Sequence, residues 1–187
     1  MWRVRNITLI LGGSRSGKSS FGEQLALKGN APPVYIFTAQ ALDNEMEHRI
    51  RIHQERRKDD TWQEMEAPLE LAAAIEEWDT KSHVILVDCL SLWLSNVMAA
   101  ERDINAEIKN IVERINNCSS ELILISSEVG LGIVPENFLA RSFRDYLGLL
   151  HQKIAAIADN VTMMVAGIPL IVKEKSEASE NIRGDQK

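Results

Sequence analysis

Eight residues near the amino end carry the clearest chemistry. Gly12-Gly13-Ser14-Arg15-Ser16-Gly17-Lys18-Ser19 fits G-x-x-x-x-G-K-[ST] at every fixed position. Small residues let the backbone curl so that its N–H groups face inward and hold phosphate oxygens. Lys18 would reach the β and γ phosphates, the Ser19 hydroxyl would ligate Mg²⁺, and a helix starting there would add its positive end. A chance Gly/Ser turn would match the same pattern. Here, however, the motif stands between an apolar run, Ile7–Leu11, and a helical stretch, which is the context a phosphate cradle needs. Val84-Ile85-Leu86-Val87-Asp88 is a further apolar run, and it ends in a carboxylate. Alone, Asp88 reads equally as a strand-end turn residue. Beside a phosphate loop it is expected to help hold Mg²⁺. A nucleoside triphosphate with Mg²⁺ is the ligand these residues imply.

The segment from Thr38-Ala39-Gln40 to Arg56-Arg57 begins where the apolar run Val34–Phe37 ends, at the edge where open α/β sheets bind ligands. His48 and His53 are five apart, about 140° around a helix, so they do not share a face as a metal pair would. By composition both read as solvated histidines on a charged helix. The alternative is that one neutral imidazole attacks phosphorus, since a ring nitrogen is a competent nucleophile near neutral pH. Arg56 and Arg57 could offset phosphate charge or simply be solvated.

These residues need a scaffold, and the hydrophobic pattern supplies one. Ile7–Leu11, Val34–Phe37, Val84–Val87, Leu122–Ile125 and Val161–Val165 are short, β-branched-rich and not alternating. Strands buried on both faces of a parallel sheet read this way. A sixth run, Ile168–Val172, follows Gly167 closely and predicts an antiparallel partner at the sheet edge. Helices are expected over Lys18–Lys28, Asn44–Arg57, Pro68–Trp78, Ile104–Ile115 and Glu136–Asp159. The last repeats Leu139, Phe143, Tyr146, Leu147, Leu150, Ile154 and Ile157 every three or four residues. Strands alternating with helices give an α/β domain with a mostly parallel open sheet. Residues 1–173 are expected to form that single domain, and the polar stretch 174–187 a frayed tail.

Composition narrows the partners. The 187 residues carry 21 basic and 27 acidic side chains, a net of −6, which argues against a nucleic-acid-binding surface. Two lone thiols, Cys89 and Cys118, fit a reducing cytoplasm better than a secreted scaffold. The run Val161–Val172 falls short of the ~20 residues a membrane span needs.

The sequence resembles the bifunctional adenosylcobinamide kinase/adenosylcobinamide-phosphate guanylyltransferase family of cobalamin biosynthesis. The resemblance runs from Ile7 to about Lys173 and rests on four stretches. They are the phosphate loop; Thr38-Ala39-Gln40 with Asp43, Glu45-Met46, Arg49-Ile50 and His53; Glu128-Val129-Gly130-Leu131-Gly132-Ile133-Val134-Pro135-Glu136-Asn137; and Ala140-Arg141-Ser142-Phe143-Arg144-Asp145, with Gly148 and Gln152 beyond. It implies a RecA-like P-loop fold and a homotrimer. It implies phosphorylation of adenosylcobinamide by ATP or GTP, then transfer of GMP from GTP to that phosphate through a guanylyl-histidine at His53. Nucleotide contacts are implied for Gly12 to Ser19, Thr38, Ala39, Gln40, Gln54, Glu55, Arg56, Arg57, Glu66 and Asp88, and catalytic roles for His53 and Lys18. The chain departs from the family pattern in three places: His151 stands where Asn is expected, Asp88 where some members carry Glu, and one residue is added between His53 and Trp62. A monofunctional small-molecule kinase and a non-catalytic GTP-binding regulator are the competing functions. Within the resemblance, Glu128–Asn137 is a candidate wall for the corrinoid; Arg141 and Arg144 could meet an anion or pair with Asp145 or Glu136.

Overall fold

A computed structural model describes residues 6–29, 31–40, 62–80 and 82–175. The elements follow in the order β1 (Ile7–Gly12), α1 (Lys18–Leu27), β2 (Pro33–Phe37), β3 (Gln63–Glu66), α2 (Leu71–Trp78), β4 (Val84–Asp88), α3 (Leu90–Ala99), α4 (Ile104–Asn116), β5 (Glu121–Ser127), α5 (Phe138–Ile157), β6 (Asn160–Val165) and β7 (Ile168–Lys173). The seven strands form one sheet ordered β3-β2-β4-β5-β1-β6-β7. All neighbours are parallel except β6 and β7, the antiparallel edge pair that the Gly167 turn predicts.

The non-alternating apolar runs are explained by burial on both faces. Ile7, Leu9, Ile36, Ile85, Val87, Leu122 and Leu124 meet the helices α2, α3, α4 and α5 on one side. Their neighbours Ile10, Tyr35, Leu86, Ile123 and Ile125 join Phe21, Leu25 and Ala26 of α1 on the other. Asp103 caps α4 by accepting from the Asn105 and Ala106 N–H groups, and Asn137 caps α5 through Ala140. Helix α5 therefore starts at Phe138 rather than Glu136, and α2 at Leu71 rather than Pro68.

Two elements escape the periodicity rules. β3, Gln-Glu-Met-Glu, is polar and mostly exposed because it is an edge strand held to β2 by backbone pairing, with Met65 its one side chain packed against the core. α3 begins two residues after β4 and buries Leu90, Ser91, Trp93, Leu94 and Val97, too wide a spread to show one apolar stripe. The helix expected over Asn44–Arg57 and the tail beyond residue 175 lie outside the described residues.

Candidate nucleotide site

The sheet order brings the carboxyl ends of six strands to one edge. β1 ends at Gly12, which is opposite Ser127 of β5 and Met164 of β6. β2 ends at Phe37, opposite both Asp88 of β4 and Glu66 of β3. The described residues that the sequence nominates for nucleotide binding lie at or just past these strand ends.

The phosphate loop is built by backbone that few residues could adopt. Gly17 caps α1 in the left-handed region at φ +94°, and Gly12 sits at φ +154°. A Cβ at Gly12 would stand 2.6 Å from Ser16 Oγ and 2.7 Å from the Met164 carbonyl oxygen. Within the loop the Ser16 N–H donates to Gly13 O at 3.3 Å, and Lys18 Nζ donates to Gly13 O at 2.6 Å. From outside, the Gly167 N–H of the β6–β7 turn donates to Ser16 O at 3.0 Å, so the hairpin braces the loop. Ser16 Oγ is buried without a hydrogen-bond partner among the described residues, a polar atom that a phosphate oxygen would satisfy. Ser19 is half-buried in the first turn of α1, and Ser14 and Arg15 are exposed.

Lys18 is 8% exposed, and burial pushes its ammonium below the ordinary lysine value, against the opposing pull of Cys89 and Asp88. Asp88 is half-buried and its Oδ2 accepts the Tyr35 hydroxyl at 2.8 Å. Thr38, fully buried, ties β2 to the turn after β4. Its hydroxyl donates to Cys89 O at 2.7 Å and accepts the Cys89 N–H at 3.0 Å, while its own N–H donates to Asp88 O at 3.1 Å. Asn96 of α3 then donates to Thr38 O and Pro68 O, at 2.8 and 3.0 Å. Ala39 and Gln40 follow at half exposure, and Glu66 is exposed two strands from β4. Burial first, then Asp88, pushes the Cys89 thiol up to about 11, which leaves it protonated and inert.

His53 lies outside the described residues, as do His48, Gln54, Glu55, Arg56 and Arg57. Arg141 donates to the carbonyls of Pro135 at 3.0 Å and Glu136 at 2.5 Å and lies over the Phe138 ring, so it braces the preceding loop instead of pairing with a carboxylate. Arg144 does pair with Asp145, at 3.7 Å. The loop from Glu128 to Asn137 shows its apolar residues to solvent: Leu131 is 84% and Ile133 97% exposed.

One cluster went unnoticed in sequence. His151 Nε2 lies 2.8 Å from Ser126 Oγ, and Nδ1 lies 3.8 Å from Glu128 Oε2. Ser126 and His151 are 25 positions apart on different elements, and no short pattern joins them.

Among solved structures the fold is similar to that of the RadB recombinase, with a TM-score of 0.52 at 12% identity over 84% of this chain and 73% of that one. A Pyrococcus horikoshii OT3 protein gives 0.54 at 9% identity, covering 94% and 90%. Both likenesses are of fold alone, a mostly parallel sheet flanked by helices. Sequence relatives are closer. The bifunctional adenosylcobalamin biosynthesis protein CobP of Pseudomonas aeruginosa is 42% identical over 167 residues, 88% of this chain and 96% of its own. The CobU protein of Salmonella typhimurium bearing the same description is 38% identical over 181 residues, 88% and 98%. Residues 8–172 match the family described as cobinamide kinase / cobinamide phosphate guanyltransferase, and it is to this family that the chain belongs.

Proposed function

We propose that this chain phosphorylates the hydroxyl of adenosylcobinamide with ATP or GTP and then transfers GMP from GTP to the new phosphate, giving adenosylcobinamide-GDP and pyrophosphate. The observation that carries this reading is the buried Lys18 held on Gly13 O beside the strand-end Asp88, in a chain of this family. The loop N–H groups and Lys18 bind and orient the triphosphate, and charge placed there offsets what develops on the leaving oxygens. Asp88 and Ser19 are the donors that would hold Mg²⁺, one carboxylate and one hydroxyl complementing the nucleotide's own phosphates. When bound, that ion would neutralise phosphate charge. His53 is the nucleophile we assign to the second reaction. Its ring nitrogen bonds to the α-phosphorus of GTP, pyrophosphate leaves, and the acceptor phosphate then displaces histidine, which splits one difficult step into two.

Thr38, Ala39, Gln40, Gln54, Glu55, Arg56, Arg57 and Glu66 complete the nucleotide site in this reading. We further assign residues 1–173 to one domain, 174–187 to a tail, and the protein to the cytoplasm. A homotrimer is part of the reading, and the uncovered apolar side chains of Ile168, Leu170, Ile171 and Val172 on β7 support association between copies. Among the described residues no helix is long and apolar enough to cross a membrane.

The test uses GTP labelled at the α phosphate, with Mg²⁺ and no corrinoid, followed by a denaturing gel. Label that stays on the protein, is lost in acid, survives alkali and vanishes in His53→Ala is the expected result. GTP binding without any retained α label would overturn the transferase half.

A further inference from the structure

The roles assigned to Lys18, the Mg²⁺ donors and His53 leave the Ser126–His151–Glu128 cluster unused. β5 stands between β1 and β4, so its carboxyl end opens between the phosphate loop and Asp88. Ser127 is opposite Gly12, and the Glu128 N–H donates to Gly12 O at 2.9 Å. Glu128 is therefore one residue past the sheet, against the first glycine of the loop. Its side chain is 21% exposed, which leaves the carboxylate accessible without making it a solvated surface acid.

The carboxylate is held from one side and faced by the imidazole from the other, at 3.8 Å. Oε1 accepts the Gly130 N–H, and Oε2 faces His151 Nδ1. His151 is 8% exposed on α5, where its helical neighbours Leu147, Leu150 and Ile154 are fully buried. A polar pair in such a place costs stability unless it is satisfied. Ser126, with no exposure, satisfies it. Burial lowers the His151 pKa, opposed by Glu128, so the ring is neutral near pH 7. The tautomer in which Ser126 donates to Nε2 puts the ring's one hydrogen on Nδ1, on the Glu128 side.

The other carboxylates of this edge have different surroundings. Among the described residues, Asp88 already accepts Tyr35 and neighbours Lys18, and Glu66 lies at the far end of the sheet, four strands from β1. The loop beyond Glu128 displays Leu131, Ile133 and Val134, a wall suited to an acceptor with a large apolar surface.

We propose that Glu128 takes the proton from the acceptor hydroxyl during phosphoryl transfer, and that His151, held by Ser126, is its positioning residue. This rests on the kinase half of the function proposed above. The hydroxyl oxygen bonds to the γ-phosphorus as its proton passes to the Glu128 carboxylate. The bond from that phosphorus to the bridging oxygen breaks, and the nucleoside diphosphate leaves with the electron pair.

The experiment measures phosphorylation of adenosylcobinamide, the nucleotide KM, and labelling of the protein by α-labelled GTP, for wild type, E128Q, E128D, H151L and H151N. E128Q is expected to lower the kinase kcat by about 10²–10⁴-fold, with nucleotide KM and protein labelling within about threefold of wild type. H151L should lower kcat by about tenfold, and H151N, which keeps a polar group on the Glu128 side, should recover most of it. An E128Q enzyme with kcat within about threefold of wild type overturns the proposal, as does a loss shared equally by kcat, KM and labelling. If E128Q does not fold, E128D decides: lowered kcat at unchanged nucleotide KM supports the assignment, and full kcat overturns it. A wild-type protein that binds nucleotide but never phosphorylates adenosylcobinamide overturns the kinase reading and the proposal together. Normal wild-type turnover beside an unimpaired E128Q overturns the proposal alone.

Discussion

Gly12 and Gly13 are adjacent, identical and part of one motif, yet the structure makes opposite demands on them. An added Cβ at Gly12 would lie 2.6 Å from Ser16 Oγ, 2.7 Å from Met164 O and 3.1 Å from Met164 Cβ. Ser16 Oγ can rotate away. The Met164 carbonyl cannot, because it belongs to β6, which is paired along its length with β1. The backbone at Gly12 adds its own cost at φ +154°, a conformation that L side chains rarely adopt. Strain of about 1–3 kcal/mol and overpacking of about 1–3 kcal/mol give Gly12→Ala a destabilisation of about 2–6 kcal/mol. At about 2–4 °C per kcal/mol for a chain of this size, Tm should fall by about 4–24 °C. At Gly13 a Cβ meets nothing within 4 Å. Gly13→Ala should leave stability unchanged or raise it by up to about 1 kcal/mol, through the lost freedom of the unfolded chain. Urea unfolding without nucleotide measures both, because bound ligand would add its own stabilisation. Equal midpoints for the two variants at equal slope would refute the assignment of the loop's shape to the β6 contact.

Lys18→Met should weaken nucleotide binding by about 10–150-fold, as a charged hydrogen-bond partner is lost. Because burial lowers the folded lysine pKa below 10.5, wild-type stability should rise with pH between the lowered value and 10.5, and this slope should flatten in the variant, as read by unfolding at stepped pH. Asp79 accepts the Ser119 and Ser120 N–H groups, at 2.9 and 2.8 Å, and pairs with Arg114, joining the end of α2 to the start of β5. Asp79→Ala should cost about 3–5 kcal/mol by leaving Arg114 and two N–H groups unpaired. Burial alone would raise the Asp79 pKa, but those hydrogen bonds and the Arg114 charge hold it below 3.8. Its contribution is thus full above about pH 4 and lost as pH falls through the lowered folded value, which acid unfolding of wild type and variant compares. Thr38→Val orphans the buried Cys89 N–H, while the Cys89 carbonyl keeps the Trp93 N–H, and should cost about 1–3 kcal/mol in urea, with Thr38→Ser much closer to wild type.

The sheet was legible because its central strands are buried on both faces, and only continuous apolar runs can fill such positions. The edge hairpin was legible for another reason: Gly167, at φ +82°, supplies the left-handed turn residue between two apolar runs. β3 was not legible, since an edge strand fixed by backbone hydrogen bonds imposes no hydrophobic pattern on Gln63–Glu66. Neither was α3, where Trp93, Leu94 and Val97 sink into the core beside Leu90 and blur the amphipathic period. The phosphate loop could be read because its chemistry is local, eight consecutive residues whose backbone does the binding. Thr38 shows the limit of such reading. It was nominated only through the family resemblance, while its structural work, two hydrogen bonds to Cys89, depends on β2 and β4 lying side by side.

Strand order also explains why the end of β5 belongs to the site. β1 and β2 follow each other in the chain, yet β4 and β5 lie between them in the sheet, so the edge carries a crevice flanked by the Gly12 loop on one side and Thr38 on the other. Whatever ends β4 and β5 forms the floor of that crevice. Asp88 ends β4 and is recognisable because one strand and one carboxylate suffice to identify it. At β5 the corresponding group is Glu128, which in linear sequence merges into a Gly/Pro turn and passes for loop. Its significance depends on Gly12 from one neighbouring strand and on His151 from a helix packed behind the sheet. If Glu128 were only a turn residue, one hydrogen bond to Gly130 would suffice, and nothing would require His151 Nδ1 to face its carboxylate. The pair makes physical sense when the carboxylate has to be held in one place beside the phosphates, and the kinetics of E128Q and H151N address that directly.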